Sequence, residues 1–179
     1  MTKLFTSLKS RIFTCLLLCV CGSMQAAGQT GKDQQRPAYQ QQALPSFTIR
    51  LLDSTTLFNT GKIAKGKPTI LILFSPDCSH CAQIAQAVKN RIKEFEGIDL
   101  YFISPPMPFY DIRMFAHING LVGKPCITVG QDIDFFFGSF FKAETVPFVV
   151  VYDRQKRFAA VLTHMKNVEE LLAETAKLN

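Results

Sequence analysis

The sequence has few charged residues and no internal repeat, and both absences limit what the protein can be. Charged residues make up 19% of the 179 residues and apolar residues 47%, so a buried core can form and wholesale disorder is excluded. The glycine period of collagen and the heptad pattern of a coiled coil are absent as well. The length is that of one ordinary domain, with or without a tail.

Concentrated positive charge is also lacking. The formal net charge is +6, but three basic residues lie within residues 1–26, a segment that we expect to be removed. Without it the chain has 17 basic and 14 acidic residues. The short basic cluster at residues 154–157 is typical of a solvated turn. The sequence therefore predicts no nucleic-acid partner.

The apolar run near the N-terminus, Ile12–Cys21, has ten residues, which is too short to span a bilayer of ~30 Å. A positively charged region precedes it and small residues follow at 22–28, as in an export signal. We therefore predict a signal peptide over residues 1–26 and a periplasmic or otherwise extracytoplasmic protein. A membrane anchor and a lipoprotein processed at Cys21 are the alternatives that remain open.

After this signal, residues 27–45 are rich in Gln, Gly and Pro and are predicted to be a flexible leader before a domain at 46–179. In that domain we predict strands at Phe47–Leu52, Leu57–Phe58, Thr69–Phe74, Ile98–Ser104, Cys126–Val129, Val146–Tyr152 and Phe158–Leu162. Helices are predicted from about Cys81 to Gly97, at 110–119, at 135–141 and after Asn167. This order predicts an α/β fold with a mixed central sheet flanked by helices and an N-terminal β-hairpin.

Three cysteines remain once the signal is removed: Cys78, Cys81 and Cys126. One close pair and one single cysteine do not make a disulfide scaffold. In an oxidising compartment the close pair is expected to form a disulfide or to cycle through one. Cys126 lies in an apolar strand and is expected to be an inert core cysteine.

The segment Cys78-Ser79-His80-Cys81 lies between a buried strand and an amphipathic helix. Cys78 is placed where the unpaired N–H groups and the dipole of the helix favour an anion. It is therefore the expected nucleophile, with a lowered pKa, and Cys81 is the expected shielded resolving thiol. His80 would add a positive charge beside the thiolate.

Three other uses of such a cysteine pair are known. A zinc site would need two further ligands, and Cys126, His117 and His164 form no second close pair. A haem attachment site would need histidine after the second cysteine, where Ala82 stands. A purely structural disulfide would close a loop too short to add much stability. No metal is therefore predicted, and redox chemistry is the favoured interpretation.

A second feature is the proline in Thr145-Val146-Pro147-Phe148, at the start of an apolar strand. Proline removes a hydrogen bond from a β-ladder, so it is normally excluded there. A cis peptide bond between Val146 and Pro147 would resolve the conflict. A trans proline on an edge strand is the alternative that the local sequence leaves open.

Together, Leu71–Cys81 and Thr145–Asp153 resemble the thioredoxin superfamily, and the resemblance covers roughly residues 45–178. The hairpin before the active strand and the signal peptide are similar to the exported TlpA-like thiol-disulfide oxidoreductases. The resemblance implies a thioredoxin-like fold in which Cys78 attacks and Cys81 resolves. It also implies that the Val146–Pro147 loop faces the disulfide and docks substrate backbone.

Two positions depart from the pattern of this superfamily. Asp77 replaces the usual tryptophan, and its charge would raise the pKa of Cys78. Ile72 stands where thioredoxins carry a buried acid. The proton acceptor for Cys81 is therefore left open between Asp77, His80 and solvent.

The resemblance implies an exported thiol-disulfide oxidoreductase with protein thiols or disulfides as substrates and a membrane or periplasmic electron donor. It needs no cofactor beyond the Cys78–Cys81 disulfide. A disulfide-forming oxidant, similar to the periplasmic CPHC oxidases, is one alternative, but residues 104–131 leave little space for their helical insertion. A peroxiredoxin is another, but Leu71 stands where its motif requires proline. A redox-inactive binding module is the third.

Overall fold

The computed structural model describes residues 37–178, so the predicted signal peptide and residues 27–36 lie outside the described residues. The strands in this range are β1 (Thr48–Leu51), β2 (Leu57–Asn59), β3 (Thr69–Leu73), β4 (Asp99–Ser104), β5 (Ile127–Asp132), β6 (Phe148–Tyr152) and β7 (Phe158–Leu162). The α-helices are α1 (Ser79–Asn90), α2 (Phe109–Ile118), α3 (Phe136–Phe141) and α4 (Val168–Ala176). Short 3-10 helices occur at Ala38–Gln41, Thr60–Lys62 and Ile92–Phe95. No helix in this range is both long enough and apolar enough to cross a bilayer.

The seven strands form one mixed sheet in the order β2-β1-β5-β4-β3-β6-β7. Strands β3, β4 and β5 run parallel, while β6 is antiparallel to β3 and the β1–β2 hairpin is antiparallel to β5. The predicted mixed sheet, flanking helices and N-terminal hairpin are confirmed. All five residues of β3 are buried, as a strand covered on both faces requires.

Alternate residues of β3 face the two layers that cover the sheet. Ile70 and Ile72 contribute to the core under α1, α2 and α4. Leu71 and Leu73 contribute to the opposite core, which contains the buried α3 side chains Phe137 and Phe141. The helix predicted at 135–141 therefore buries these two rings against the sheet, although Phe135 is half exposed.

The described residues begin at Pro37, and the part of them that precedes residue 46, the domain boundary predicted from composition, already packs on the domain. Tyr39 is 8% exposed, and its ring lies 5.6 Å from that of Phe141 and 5.9 Å from that of Phe158. Residues 37–45 of the predicted flexible leader therefore pack on the domain. The polar composition of the leader did not predict this packing, because a single buried aromatic ring is enough to hold a short segment against the domain.

Several predicted bounds shift for local reasons. Helix α1 begins at Ser79, because Cys78 is already its N-cap, and a 3-10 turn follows it before Gly97, whose φ is +82°. Strand β5 runs on to Asp132, and β6 starts only at Phe148. Asn167 caps α4 as expected, with its Oδ1 accepting from the Glu170 N–H at 3.3 Å.

Candidate redox site

Cys78 and Cys81 form a disulfide, with their Cα atoms 5.2 Å apart, at the carboxyl end of β3. The two cysteines differ in exposure. Cys78 is half-buried, whereas Cys81 is 2% exposed and belongs to the core under α1. A partner can therefore approach the sulfur of Cys78 and not that of Cys81.

The N-terminus of α1 is directed at the Cys78 sulfur. Cys78 is the N-cap residue, and the backbone N–H of Cys81 donates to its Sγ atom at 3.0 Å. An N–H group at this position is one of those left unpaired by the first turn of a helix, and it carries the positive end of the helix dipole. We therefore expect a thiolate on Cys78 to be stabilised once the disulfide is opened.

The proline loop lies beside this sulfur. The Val146–Pro147 peptide bond is cis, Pro147 is buried, and the Val146 carbonyl oxygen lies 3.9 Å from the Cys78 Sγ. The strand register explains this contact between residues 68 positions apart, because Leu73 at the end of β3 pairs with Phe148 at the start of β6. Because β3 and β6 are antiparallel neighbours, the loop that follows β3 and the loop that precedes β6 lie side by side.

His80 is connected to a different part of the chain. Its Nε2 atom donates to the carbonyl oxygen of Met165 at 2.7 Å, which ties the first turn of α1 to the loop before α4. Met165 itself is buried, so this acceptor is fixed in place. Among the described residues, the imidazole thus has a main-chain oxygen as its hydrogen-bond partner and not a cysteine sulfur.

Asp77 is exposed, and its Oδ1 accepts a hydrogen bond from the Ser75 hydroxyl. Ile72, where thioredoxins carry an acid, is 1% exposed and packs in the core. No carboxylate of the described residues hydrogen-bonds to the disulfide.

The third cysteine is far from this chemistry. Cys126 is half-buried and directly precedes β5, so the prediction of a core cysteine within a strand is wrong. It lies at the amino ends of the parallel strands, opposite the edge that carries Cys78. Its thiol is free, and burial raises its pKa. His117 and His164 are exposed. Within residues 37–178, no three histidine, cysteine or acidic side chains come together as metal ligands.

Two features near the disulfide are not among those predicted from the sequence. The first is the Met165 carbonyl that accepts from His80. It is a main-chain group, which every residue type has, so the sequence could not identify it. A groove of about 530 Å³ lies between α1 and α2, next to Asp77, and its outer wall includes Met114 and Ile118. Those two apolar residues are four positions apart on α2, a spacing that places them on one helix face and could have revealed the wall.

Comparison with known proteins places the fold. Neither a protein-family model nor a curated protein sequence matches the chain. A secreted Mycobacterium tuberculosis disulfide oxidoreductase, described as homologous to Escherichia coli DsbE, superposes with a TM-score of 0.63 at 18% identity, covering 74% of this chain and 96% of that one. DsbF of the same organism gives a TM-score of 0.65 at 19% identity, with 80% and 98% covered.

A third similar structure is the thioredoxin domain of a thiol-disulfide oxidoreductase from Bacteroides vulgatus. Its TM-score is 0.62 at 13% identity, and the match covers 78% of this chain and 98% of that domain. All three matches extend over most of both chains. The chain therefore has a thioredoxin-like fold.

Proposed function

We propose that the protein is an extracytoplasmic thiol-disulfide oxidoreductase that exchanges electrons with protein thiols and disulfides through Cys78 and Cys81. The observation that carries this proposal is the asymmetry of the pair at a helix start. The Cys78 sulfur is accessible, accepts the Cys81 N–H and faces the Val146 carbonyl, while the Cys81 sulfur is buried. A nucleophile and its resolving thiol need this arrangement.

In the reducing direction, the Cys78 thiolate attacks one sulfur of a substrate disulfide. A Cys78–substrate disulfide forms, and the other substrate sulfur leaves as a thiolate that takes up a proton. Cys81 then loses its proton and attacks the Cys78 sulfur, so that the substrate leaves as a second thiolate. The substrate disulfide is reduced to two thiols, and the cysteine pair is oxidised to the observed disulfide.

The proline loop would hold the substrate during this exchange. Because the Val146 carbonyl oxygen lies 3.9 Å from the attacked sulfur, it can accept a hydrogen bond from a backbone N–H beside the substrate cysteine. Such a bond recognises polypeptide without recognising its sequence. Val146 and Pro147 therefore serve as the proposed docking residues.

The proposal extends to location and partners. The expected export signal at residues 1–26 supports an extracytoplasmic site of action, and one similar structure is described as secreted. The reaction as written needs no cofactor beyond the cysteine pair. It does need a redox partner that restores the starting state, which we expect to be a membrane or periplasmic thiol-disulfide protein.

The experiment that tests the function measures insulin reduction and peroxide consumption by the purified protein in parallel. We expect dithiothreitol-driven insulin precipitation to accelerate with the wild type and with Cys126→Ser, and not with Cys78→Ser. Absence of acceleration in a protein with both thiols free would favour a redox-inactive binding module. Peroxide consumption without insulin reduction would favour a peroxidase.

A further inference from the structure

The groove between α1 and α2 begins at the redox site. Its lining includes Pro76 and Asp77, which directly precede Cys78, and Ala82 and Gln86 from α1. Asp111, Met114 and Ile118 of α2 form the other wall. A polypeptide joined through its sulfur to Cys78 therefore has this groove beside it.

Helix α2 exposes more apolar surface than a solvated helix needs. Its core face is supplied by Ile112, Phe115 and Ala116, which are all buried. On the outside, Tyr110 is 69%, Met114 38% and Ile118 71% exposed, although these three large apolar side chains lie on one ten-residue helix. Apolar side chains grouped in this way mark an interaction surface.

The polar residues of the groove are acidic or already paired. The carboxylates of Asp77 and Asp111 lie in the lining, and no lysine or arginine does so among the described residues. The Gln86 Nε2 atom donates to the Asn119 Oδ1 atom at 3.0 Å, so these two amides partly satisfy each other. The groove therefore combines an apolar wall with net negative charge.

We propose that this groove binds the stretch of a protein substrate next to its reactive cysteine, and that it selects an apolar side chain together with a lysine or arginine. This inference rests on the proposed function and adds a substrate class to it. The distance from Asp111 to Ile118 along α2 is ~10 Å, which about three residues of extended chain span. A substrate segment that lies along this wall therefore contributes about three residues to the groove.

Continuity with Cys78 is what favours this occupant over a second copy of the chain. Asp77 belongs both to the groove lining and to the loop that carries the attacked sulfur. A segment recognised by the groove is thus held within reach of the disulfide during exchange. Such positioning raises the rate with favoured substrates by holding the reacting groups together.

The test uses short peptides, each with one central cysteine, and measures their rate of reaction with the oxidised protein relative to the rate with dithiothreitol. One peptide carries leucine and lysine on both sides of the cysteine. The second replaces lysine by glutamate, and the third replaces leucine by serine. We expect the leucine–lysine peptide to react about tenfold faster than either, a preference of ~1.4 kcal/mol.

Variants then assign the preference to the groove. Asp111→Lys should reverse the preference between the lysine and glutamate peptides, and Met114→Ser with Ile118→Ser should remove the preference for leucine. Glu96→Lys and Leu57→Ser likewise replace an acid by lysine and an apolar residue by serine, at exposed positions outside the groove. Both control variants should keep the wild-type order of rates.

The outcomes separate this inference from the function on which it rests. If dithiothreitol does not reduce the disulfide and no peptide opens it to a mixed disulfide, the proposed function fails. If all three peptides react at equal rates, or if Asp111→Lys leaves the lysine preference intact, the function stands and the groove inference is wrong. It is also wrong if the serine variants change only self-association, which sedimentation of the same samples would detect.

Discussion

The backbone N–H of Cys81 points at the sulfur of Cys78 from a distance of 3.0 Å. This contact joins the two cysteines in a second way besides the disulfide, and it persists in the reduced protein if the first turn of α1 keeps its shape. It then favours negative charge on Cys78 alone, because Cys81 lies behind it in the core. The two thiols of the reduced protein are therefore expected to differ in pKa and in reactivity.

The first prediction concerns alkylation of the reduced protein near neutral pH. Cys78 should react with iodoacetamide before Cys81, because it is accessible and its thiolate is stabilised. Cys126 provides an internal comparison, since burial raises its pKa and should slow its labelling. Mass mapping after brief treatment measures the order. Earlier labelling of Cys81 would reverse the assigned roles.

The second prediction concerns substrate trapping. Cys81→Ser should accumulate long-lived disulfides between Cys78 and its partners, because no thiol remains to resolve them. Cys78→Ser is the matched control and should trap none. The two variants are compared on non-reducing gels under conditions in which the wild type turns over. Equal capture by both would contradict the dithiol mechanism.

The third prediction concerns His80. We expect His80→Pro to lower the reduction potential and to raise the Cys78 pKa together, because any positive charge on the imidazole would stabilise the thiolate and hence the reduced form. Each ~1.4 kcal/mol of lost thiolate stabilisation shifts the potential by ~30 mV. Thiolate absorbance and equilibration with glutathione measure the two quantities.

A second variant separates charge from structure at the same position. His80→Pro also removes the hydrogen bond to the Met165 carbonyl, which contributes about 1 kcal/mol to folding. The amide of His80→Gln can still donate to that oxygen but carries no charge. If the charge of His80 sets the reduction potential, both variants lower that potential, and only His80→Pro lowers the free energy of unfolding. Unchanged potential and unchanged Cys78 pKa in both would remove His80 from the redox mechanism.

The fourth prediction concerns pH and the buried carboxyl of Asp132. Its Oδ2 accepts from the Phe137 N–H at 2.7 Å, its Oδ1 has no partner among the described residues, and burial raises its pKa. A raised pKa in the folded state means that protonation stabilises the fold, and that this gain is lost as the pH rises through the folded pKa. The free energy of unfolding of the wild type should therefore increase, relative to Asp132→Asn, as the pH falls from 7 toward ~4. Urea unfolding of both proteins across this range measures it, and a constant difference would contradict it.

The fifth prediction concerns the segment before the hairpin. Tyr39→Ala should lower the free energy of unfolding by about 2–4 kcal/mol, because it empties a site enclosed by the rings of Phe141 and Phe158. Tyr110→Ala is the matched control, since that ring is 69% exposed and should contribute little. Equal effects in denaturant unfolding would mean that residues 37–45 do not stabilise the domain.

The periodicity of apolar residues was enough to predict the order of strands and helices. The continuous run Thr69–Phe74 predicted a strand buried on both faces, and β3 at Thr69–Leu73 is such a strand. Local composition predicted a flexible leader over residues 27–45. This was wrong for residues 37–45, where Tyr39 packs against rings more than a hundred residues away in sequence. A short segment of low average hydrophobicity contains no signal for such a distant contact.

By itself, the sequence determined that two cysteines lie at the start of a helix, because three-residue separation and the helix pattern are both local. It left the state of the Val146–Pro147 bond open, since a proline at a strand start fits either isomer. Only tertiary structure decided where that loop lies, because the pairing of β6 with β3 brings Val146 to Cys78. The partner of His80 and the groove on α2 were decided in the same way, since each depends on how a helix or loop distant in sequence packs on α1.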